Sequence, residues 1–369
     1  MTIYLKGYSF GNRMVIVARD EAVCCELLNL QMDIMYIHDN QIIYLPNEEV
    51  QSLDGMDIKK IDLLCNYDIV EISDTGILYR SFANNEADST VFLGARCNSN
   101  CIMCPAGDAE RKKGFSYTRE QLMKYIDYLP GNLEHLVITG GEPTMQRNLF
   151  IEALKKIKVK FSYTQVLLLT NGRSLSDREL FERMVEAKPN RFRIAIPIHG
   201  SNAAIHDSIT RSNGSFEQTL LGLRRVISTD IKIEIRIVVI KKNCNDLLNI
   251  AKLISECYPN VHCVNFLGLE PRGNCALNFD DVYIEHKSSF EKSKPAIDHL
   301  IHNGIDVGLY NYPLCAVDKG YWSLAAKSIS HYKNVYHPDC DLCDVREICG
   351  GFFTAAMRIA HPEVHPIKC

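Results

Sequence analysis

The chain reads as an α/β protein, and three features of its 369 residues predict this. From about Ser89 onward, short β-branched runs alternate with amphipathic helical stretches, the pattern of repeated strand–helix units. Residues 1–88 are β-rich. Beyond residue 311 the alternation stops, and residues 312–369 are poor in strands and hold five cysteines. The expected organisation is therefore a small β-rich domain (1–88), a strand–helix domain (89–311) and a cysteine-rich tail (312–369).

In the first segment, Met14–Val17, Met35–Ile37 and Ile42–Leu45 are short apolar runs. Asp68–Ile72 and Ile77–Ser81 flank Ser73-Asp74-Thr75-Gly76, a hairpin turn. The polar run Asn84–Asp88 reads as a linker. Seven strands are expected beyond it, at Thr90–Ala95, His135–Thr139, Gln165–Thr170, Phe192–Ile198, Lys232–Ile240, Cys263–Leu269 and Asp306–Tyr310. Helices lie between them. Thr118-x-x-Gln121 and Ser176-x-x-Glu179 are capping signals, and Phe216, Leu220, Leu223 and Ile227 fall on one helical face. Such alternation forces parallel strands and right-handed crossovers. About six units make either an open doubly wound sheet or a partial barrel, and both present their functional loops at the C-terminal strand ends. Periodicity leaves that choice open.

Composition narrows the function. Hydrophobic residues make up 46% and charged residues 23%, so a sizeable core is expected in a soluble protein. The net charge of −4 offers no platform for nucleic acid, and the short run Arg111-Lys112-Lys113 reads as a solvated face. No secretory signal and no run of about 18 apolar residues is present, so the expectation is a cytoplasmic protein without a membrane span. Fifteen cysteines in a reducing compartment point to metal ligands rather than disulfides.

Directly after the first strand of the repeat stands Cys97-Asn98-Ser99-Asn100-Cys101-Ile102-Met103-Cys104, a C-x3-C-x2-C triad. Three thiolates this close can hold three corners of an iron–sulfur cube, and no fourth cysteine follows until Cys244. An iron left without a protein ligand can bind a small molecule. A zinc site completed by a distant ligand is the alternative. One strand–helix unit later comes Gly140-Gly141-Glu142-Pro143.

Together these motifs resemble the radical SAM superfamily, with its C-x3-C-x-Φ-C hallmark and GGEP motif. The resemblance implies a partial (β/α)6 barrel and a [4Fe–4S] cluster whose open iron is chelated by S-adenosylmethionine (SAM). It implies reductive cleavage of SAM to a 5′-deoxyadenosyl radical that abstracts hydrogen from a substrate carbon. The resemblance places Met103 at the Φ position near the adenine, where the family usually carries an aromatic residue, and implies that Gly140, Gly141, Glu142 and Pro143 receive the SAM ammonium. Asn171 is a candidate ribose contact and Arg236 a candidate partner of the SAM carboxylate. The fourth strand ends Pro197-Ile198-His199-Gly200 where many relatives carry Ser-Leu-Asp-Gly; His199 either takes over a polar role there or faces solvent.

The tail holds Cys340-x2-Cys343-x5-Cys349, with Cys315 upstream. Four thiolates can ligate a second cube; structural zinc is the alternative. The pattern resembles the SPASM or twitch auxiliary-cluster domains of peptide maturases, and implies one auxiliary [4Fe–4S] cluster. Cys369 is a substitute ligand or a frayed end. Cys24, Cys25, Cys65, Cys244, Cys257, Cys263 and Cys275 receive no role. Tyr312-Pro313-Leu314-Cys315, Cys349-Gly350-Gly351-Phe352-Phe353 and the ending His365-Pro366-Ile367 resemble the C-type maturase of the His-Xaa-Ser peptide-modification system. That resemblance implies a precursor peptide or His-Xaa-Ser repeat polypeptide as substrate. It also implies an electron donor such as flavodoxin or ferredoxin, and a partner radical SAM protein. Residues 1–88 would then hold a leader peptide by strand addition to a sheet edge. The rival readings are a radical SAM enzyme acting on a small molecule or a protein glycyl site, and a non-catalytic iron–sulfur or zinc scaffold.

Overall fold

The computed structural model describes residues 2–368; Cys369, weighed above as a substitute ligand, lies outside them. Two compact units form. One comprises Met1–Val91, Tyr117–Val137 and Lys155–Gln165, the other Phe92–Ser116, Ile138–Leu154 and Val166–Cys369.

The first seven strands are β1 (Thr2–Tyr4), β2 (Arg13–Ala18), β3 (Ile34–His38), β4 (Gln41–Leu45), β5 (Glu49–Ser52), β6 (Ile69–Ile72) and β7 (Ile77–Phe82). They build one sheet ordered β1-β7-β6-β2-β3-β4-β5. The expected hairpin at Ser73–Gly76 joins β6 and β7 antiparallel, with Ile72 opposite Leu78. The sheet is not a pure meander. β2 and β3 run parallel, and the helix Glu21–Asn29, capped by the Asp20 carboxylate on Val23 N–H, lies between them in sequence. Its core gathers Val15, Val17, Met35, Ile42, Tyr44 and Leu78.

The second sheet has eight strands: β8 (Asp88–Phe92), β9 (His135–Thr139), β10 (Gln165–Leu169), β11 (Phe192–Pro197), β12 (Lys232–Val238), β13 (Cys263–Leu267), β14 (Val307–Tyr310) and β15 (Ala325–Ala326). All seven expected strands are present, and β15 is an addition. The spatial order is the sequence order throughout, from β8 to β15. That order settles what periodicity left open. A doubly wound sheet reverses its order at a switch point. Strands that always add to the same edge by right-handed crossovers place every crossover helix on one face, as in a barrel. The sheet is open, with β8 and β15 at its edges.

Parallel register from β10 to β15 makes the two faces differ. On the helix-bearing face Ile194, Ile196, Ile233, Ile235, Val264 and Phe266 are at most 2% exposed. The opposite face carries Arg193, Glu234, Arg236, Cys263, Asn265 and Tyr310, four of them half-buried. In the tail, β16 (Asn334–Val335) pairs antiparallel with β17 (Phe352–Phe353).

Helix starts agree with the capping signals at one site and differ by one residue at another. Thr118 and Gln121 make the reciprocal capping box. At the second, Asp177 rather than Ser176 is the N-cap, its carboxylate accepting from Leu180 N–H at 3.0 Å. Ser176 closes a 3-10 turn instead, donating to the Arg173 carbonyl. An ionised carboxylate is the stronger acceptor for an orphan helix N–H.

Candidate active site

The loop that carries Cys97, Cys101 and Cys104 leaves the C-terminal end of β8 and lies against the loop that leaves β9. Gly141 N–H donates to the Gly94 carbonyl at 2.7 Å, and Glu142 N–H to the Arg96 carbonyl at 2.8 Å. A Cβ on Gly140 would meet the Gly94 carbonyl oxygen, and one on Gly141 the carbonyl oxygens of Ala95 and Arg96. The two glycines thus serve the close approach of two chain segments.

Glu142 is 2% exposed. Its Oε1 accepts from Thr144 N–H (3.1 Å), Thr144 Oγ1 (2.5 Å) and Thr170 Oγ1 (2.7 Å), and its Oε2 accepts from Asn171 N–H at 2.7 Å. Burial pushes its pKa up, and these donors oppose the shift. The carboxylate therefore locks the loops after β9 and β10 together, with four protein donors already on it. Pro143 follows at the first position of a 3-10 turn, where its missing N–H costs nothing.

Asn171 is tied at both ends of its amide: Nδ2 donates to Asn98 Oδ1 at 2.6 Å and Oδ1 accepts from Arg173 N–H at 3.0 Å. Arg236 donates from Nε to Glu234 at 2.6 Å on the uncovered sheet face. Met103 is buried in an apolar cluster with Ile102, Ile209, Ile240, Leu269 and Val282. His199 is 4% exposed rather than solvent-facing. Its backbone N–H donates to His206 Nδ1 at 3.2 Å, its own Nδ1 has no partner among the described residues, and burial lowers its pKa to about 3.

Several residues that hold the cysteine loop carried no signal in the sequence reading. The Arg173 guanidinium donates to the Asn98 carbonyl, to Ser99 Oγ at 2.9 Å and to Ser212 Oγ at 2.8 Å. Arg111 reaches the Ser99 carbonyl at 3.1 Å and the side chains of Asn100 and Asp108. Its side chain is only 9% exposed, so the run it opens is not simply a solvated face. Asn274 Nδ2 donates to Asn100 Oδ1 (3.0 Å) and the Cys101 carbonyl (3.2 Å), and Asn278 Nδ2 to the Ile102 carbonyl (3.2 Å). The position of Arg173, two residues past Asn171 in the same turn, was the one available clue.

Burial raises the pKa of Cys97, and burial followed by the neighbouring Cys104 and Cys97 pushes that of Cys101 up to about 12. Ser99 N–H donates to Cys97 Sγ at 3.4 Å. In the tail, Cys315, Cys340, Cys343 and Cys349 line one small cavity together with Pro313, Val345 and Ile367. Backbone N–H groups already point at its sulfurs: Leu314 (3.3 Å) and Gly351 (3.4 Å) at Cys349, and Ile367 (3.5 Å) at Cys343. Gly351 does so at φ +68°, a conformation glycine adopts without strain. Among the described residues, no three His, Cys, Asp or Glu side chains group tightly enough to hold a single metal ion. On donor chemistry, thiols with N–H donors aimed at sulfur, the Cys97–Cys104 set fits an iron–sulfur cluster and the tail set fits an iron–sulfur cluster or zinc.

Residues 91–254 match the family model for the Radical SAM superfamily. A domain of this class implies a [4Fe–4S] cluster and SAM. Among curated relatives, the chain is 26% identical over 213 residues to the antilisterial bacteriocin subtilosin biosynthesis protein AlbA of Bacillus subtilis, covering 58% of this chain and 46% of AlbA. It is 25% identical over 214 residues to a probable GTP 3′,8-cyclase of Sulfurisphaera tokodaii, covering 57% of this chain and 64% of the cyclase. The chain thus spans about half to two thirds of the length of these relatives. Among solved structures, Streptococcus suis SuiB bound to its precursor peptide SuiA aligns with a TM-score of 0.47 at 12% identity, over 62% of this chain and 49% of SuiB. No described helix is long and apolar enough to cross a membrane.

Proposed function

We propose that the protein is a radical SAM enzyme that modifies a ribosomally made peptide, within a His-Xaa-Ser type system as its C-type maturase. The observation that carries the reading is the Cys97–Cys101–Cys104 loop at the C-terminal end of the first strand of a singly wound parallel sheet, inside the matched segment. A [4Fe–4S] cluster held there would supply the electron for reductive cleavage of SAM, the chemistry by which a substrate carbon would lose a hydrogen atom.

The chain's own residues do the positioning. Cys97, Cys101 and Cys104 hold the cluster, and Arg173, Arg111, Asn274 and Asn278 hold the loop that presents them. Glu142 fixes the backbone of the Gly140–Pro143 loop, whose free polar atoms meet the SAM ammonium. Asn171, Met103 and Arg236 complete the SAM contacts. Cys315, Cys340, Cys343 and Cys349 hold one auxiliary [4Fe–4S] cluster, with the tail from residue 312 as its domain. The uncovered sheet face takes the substrate, away from bulk water that would quench a radical. The sheet of residues 1–88 binds the leader peptide at an edge strand.

The AlbA match, to a bacteriocin biosynthesis protein, supports a peptide substrate. The cyclase match favours a second reading, a small-molecule substrate such as a nucleotide. Anaerobically reconstituted protein is expected to release 5′-deoxyadenosine from SAM under reductant, and a co-expressed precursor peptide to change mass. Turnover of a nucleotide with an unmodified precursor would favour the second reading. A colourless protein that holds only zinc would end both.

A further inference from the structure

After the helix Thr354–Ile359, His361 turns the chain at φ +44°, and residues 361–368 run on with neither helix nor strand. This segment crosses the tail cavity: Val364, His365, Pro366 and Ile367 line it together with the four cysteines. Ile367 N–H donates to Cys343 Sγ at 3.5 Å, and the backbone N–H of His365 faces the Cys315 sulfur. Asp344 N–H returns a bond to the Ile367 carbonyl at 2.9 Å, and Lys368 Nζ reaches the Asp344 carboxylate at 3.3 Å. The Ile367 side chain packs with Leu314, Val345 and Cys349. Among the described residues, the hydrogen bonds from this segment to the rest of the chain go to Cys315, Cys343 and Asp344, the neighbour of Cys343.

The segment therefore has no ladder or helix of its own to hold it, and its anchors are the thiols and the residue beside one of them. A neutral thiol is a weak acceptor of an N–H. A thiolate bound to a metal carries charge and takes the same N–H more strongly. The grip on this segment thus depends on what the sulfurs hold. The donors to Cys349 differ in origin: Leu314 and Gly351 lie next to Cys315 and Cys349 in the sequence. The donors to Cys343 and Cys315 come instead from one separate stretch, which ties the upstream cysteine to the C-x2-C pair. Its half-buried Val364, Pro366 and Ile367 also cover the cavity with apolar surface.

We propose that residues 362–367 are a positioning strap for the tail metal site: metal-bound thiolates of Cys315 and Cys343 hold the strap closed through the His365 and Ile367 N–H groups, and the closed strap retains the metal. This rests on the reading of Cys315, Cys340, Cys343 and Cys349 as one metal-binding set. The two effects are one coupling free energy, so whatever metal adds to closure, closure adds to metal affinity. The argument needs metal-bound thiolates and holds for an iron–sulfur cluster and for zinc alike.

The test uses the full chain carrying C97A/C101A/C104A, so that metal bound to this parent sits in the tail. I367P removes the N–H that Cys343 accepts and keeps the carbonyl that Asp344 uses, whereas I367V keeps both. A chelator is expected to strip metal about tenfold faster from I367P than from the parent, and from I367V at the parent's rate. Metal-free I367P and metal-free parent should share one urea midpoint, because a thiol takes little from that N–H; a merely structural role would lower the midpoint with and without metal. In the parent, loading with metal should slow hydrogen exchange at the Ile367 amide about tenfold. Equal metal release from I367P and I367V would overturn the proposal. So would exchange at Ile367 that metal leaves unchanged, or an equal fall in midpoint in both states. A parent that binds neither iron nor zinc would strike the reading of the tail cysteines itself, and the strap with it.

Discussion

Glutamine at position 142 separates two roles for the buried carboxylate. In the structure its Oε1 takes three donors and its Oε2 takes the Asn171 N–H at 2.7 Å. An amide of the same shape keeps one oxygen. Turned to keep the three bonds from Thr144 and Thr170, it aims its NH2 at the Asn171 N–H, donor against donor. One charge-assisted bond is lost and a buried donor is stranded, each worth about 1–3 kcal/mol. Relief from burying a charge offsets part of this. E142Q is therefore expected to destabilise the protein by about 2 kcal/mol in urea unfolding, and to speed hydrogen exchange at the Asn171 amide. If the carboxylate instead served mainly as an acceptor for the SAM ammonium, E142Q would weaken SAM binding in equilibrium dialysis and leave stability within about 0.5 kcal/mol of wild type. That pair of results would refute the clamp.

R173A should cost about 2–3 kcal/mol and lower the iron retained by the reconstituted protein, because the Asn98 carbonyl and two hydroxyls lose a charged donor; unchanged stability and iron content would contradict this. C101A should abolish 5′-deoxyadenosine release, whereas C343A should keep it, lose about half the bound iron and leave the precursor unmodified; equal loss of release in both would break the division of labour. A proline at Val50, exposed on the edge strand β5, should weaken precursor binding and spare SAM cleavage; full affinity would exclude leader docking at that edge. Buried His199, His206 and His286 are held neutral by desolvation, with pKa values lowered to about 3, about 4 and about 4. The unfolded chain takes up protons at these sites near pH 6.5 while the folded chain does not, so stability is full above that pH and falls below it. Each should cost about 2 kcal/mol between pH 7 and pH 5. A flat urea-unfolding profile over that range would refute their burial as neutral rings.

The large architecture was legible because it is written in local pattern. Seven strand runs from Thr90 to Tyr310 alternate with helices at periods that no tertiary contact has to correct, and the Ser73–Gly76 turn announces its hairpin. The choice between partial barrel and doubly wound sheet was not legible, since strand order is a property of pairing rather than of any segment. The helix Glu21–Asn29 and the short strands β1, β5 and β15 were missed because their apolar runs are too brief for either period to stand out. At the candidate site, residue types and spacing pointed to the cysteines and to Gly140–Pro143, but not to what each does. Glu142 meets four donors brought from positions 144, 170 and 171. Arg111 looked like the start of a solvated run until Ser99 and Asn100 were brought against it. Both facts depend on contacts that only the folded chain brings together.

The amides of Asn274 and Asn278 hold the Cys97–Cys104 loop across more than 170 residues of sequence. Such long-range closure is slow and comes late in folding. During vectorial synthesis the ribosome releases the three cysteines well before the asparagines that shape them. Until residue 278 has emerged, those thiols sit on a segment whose geometry is unset. If those thiols hold an iron–sulfur core as proposed, productive insertion is expected only after Asn278 has closed on the loop.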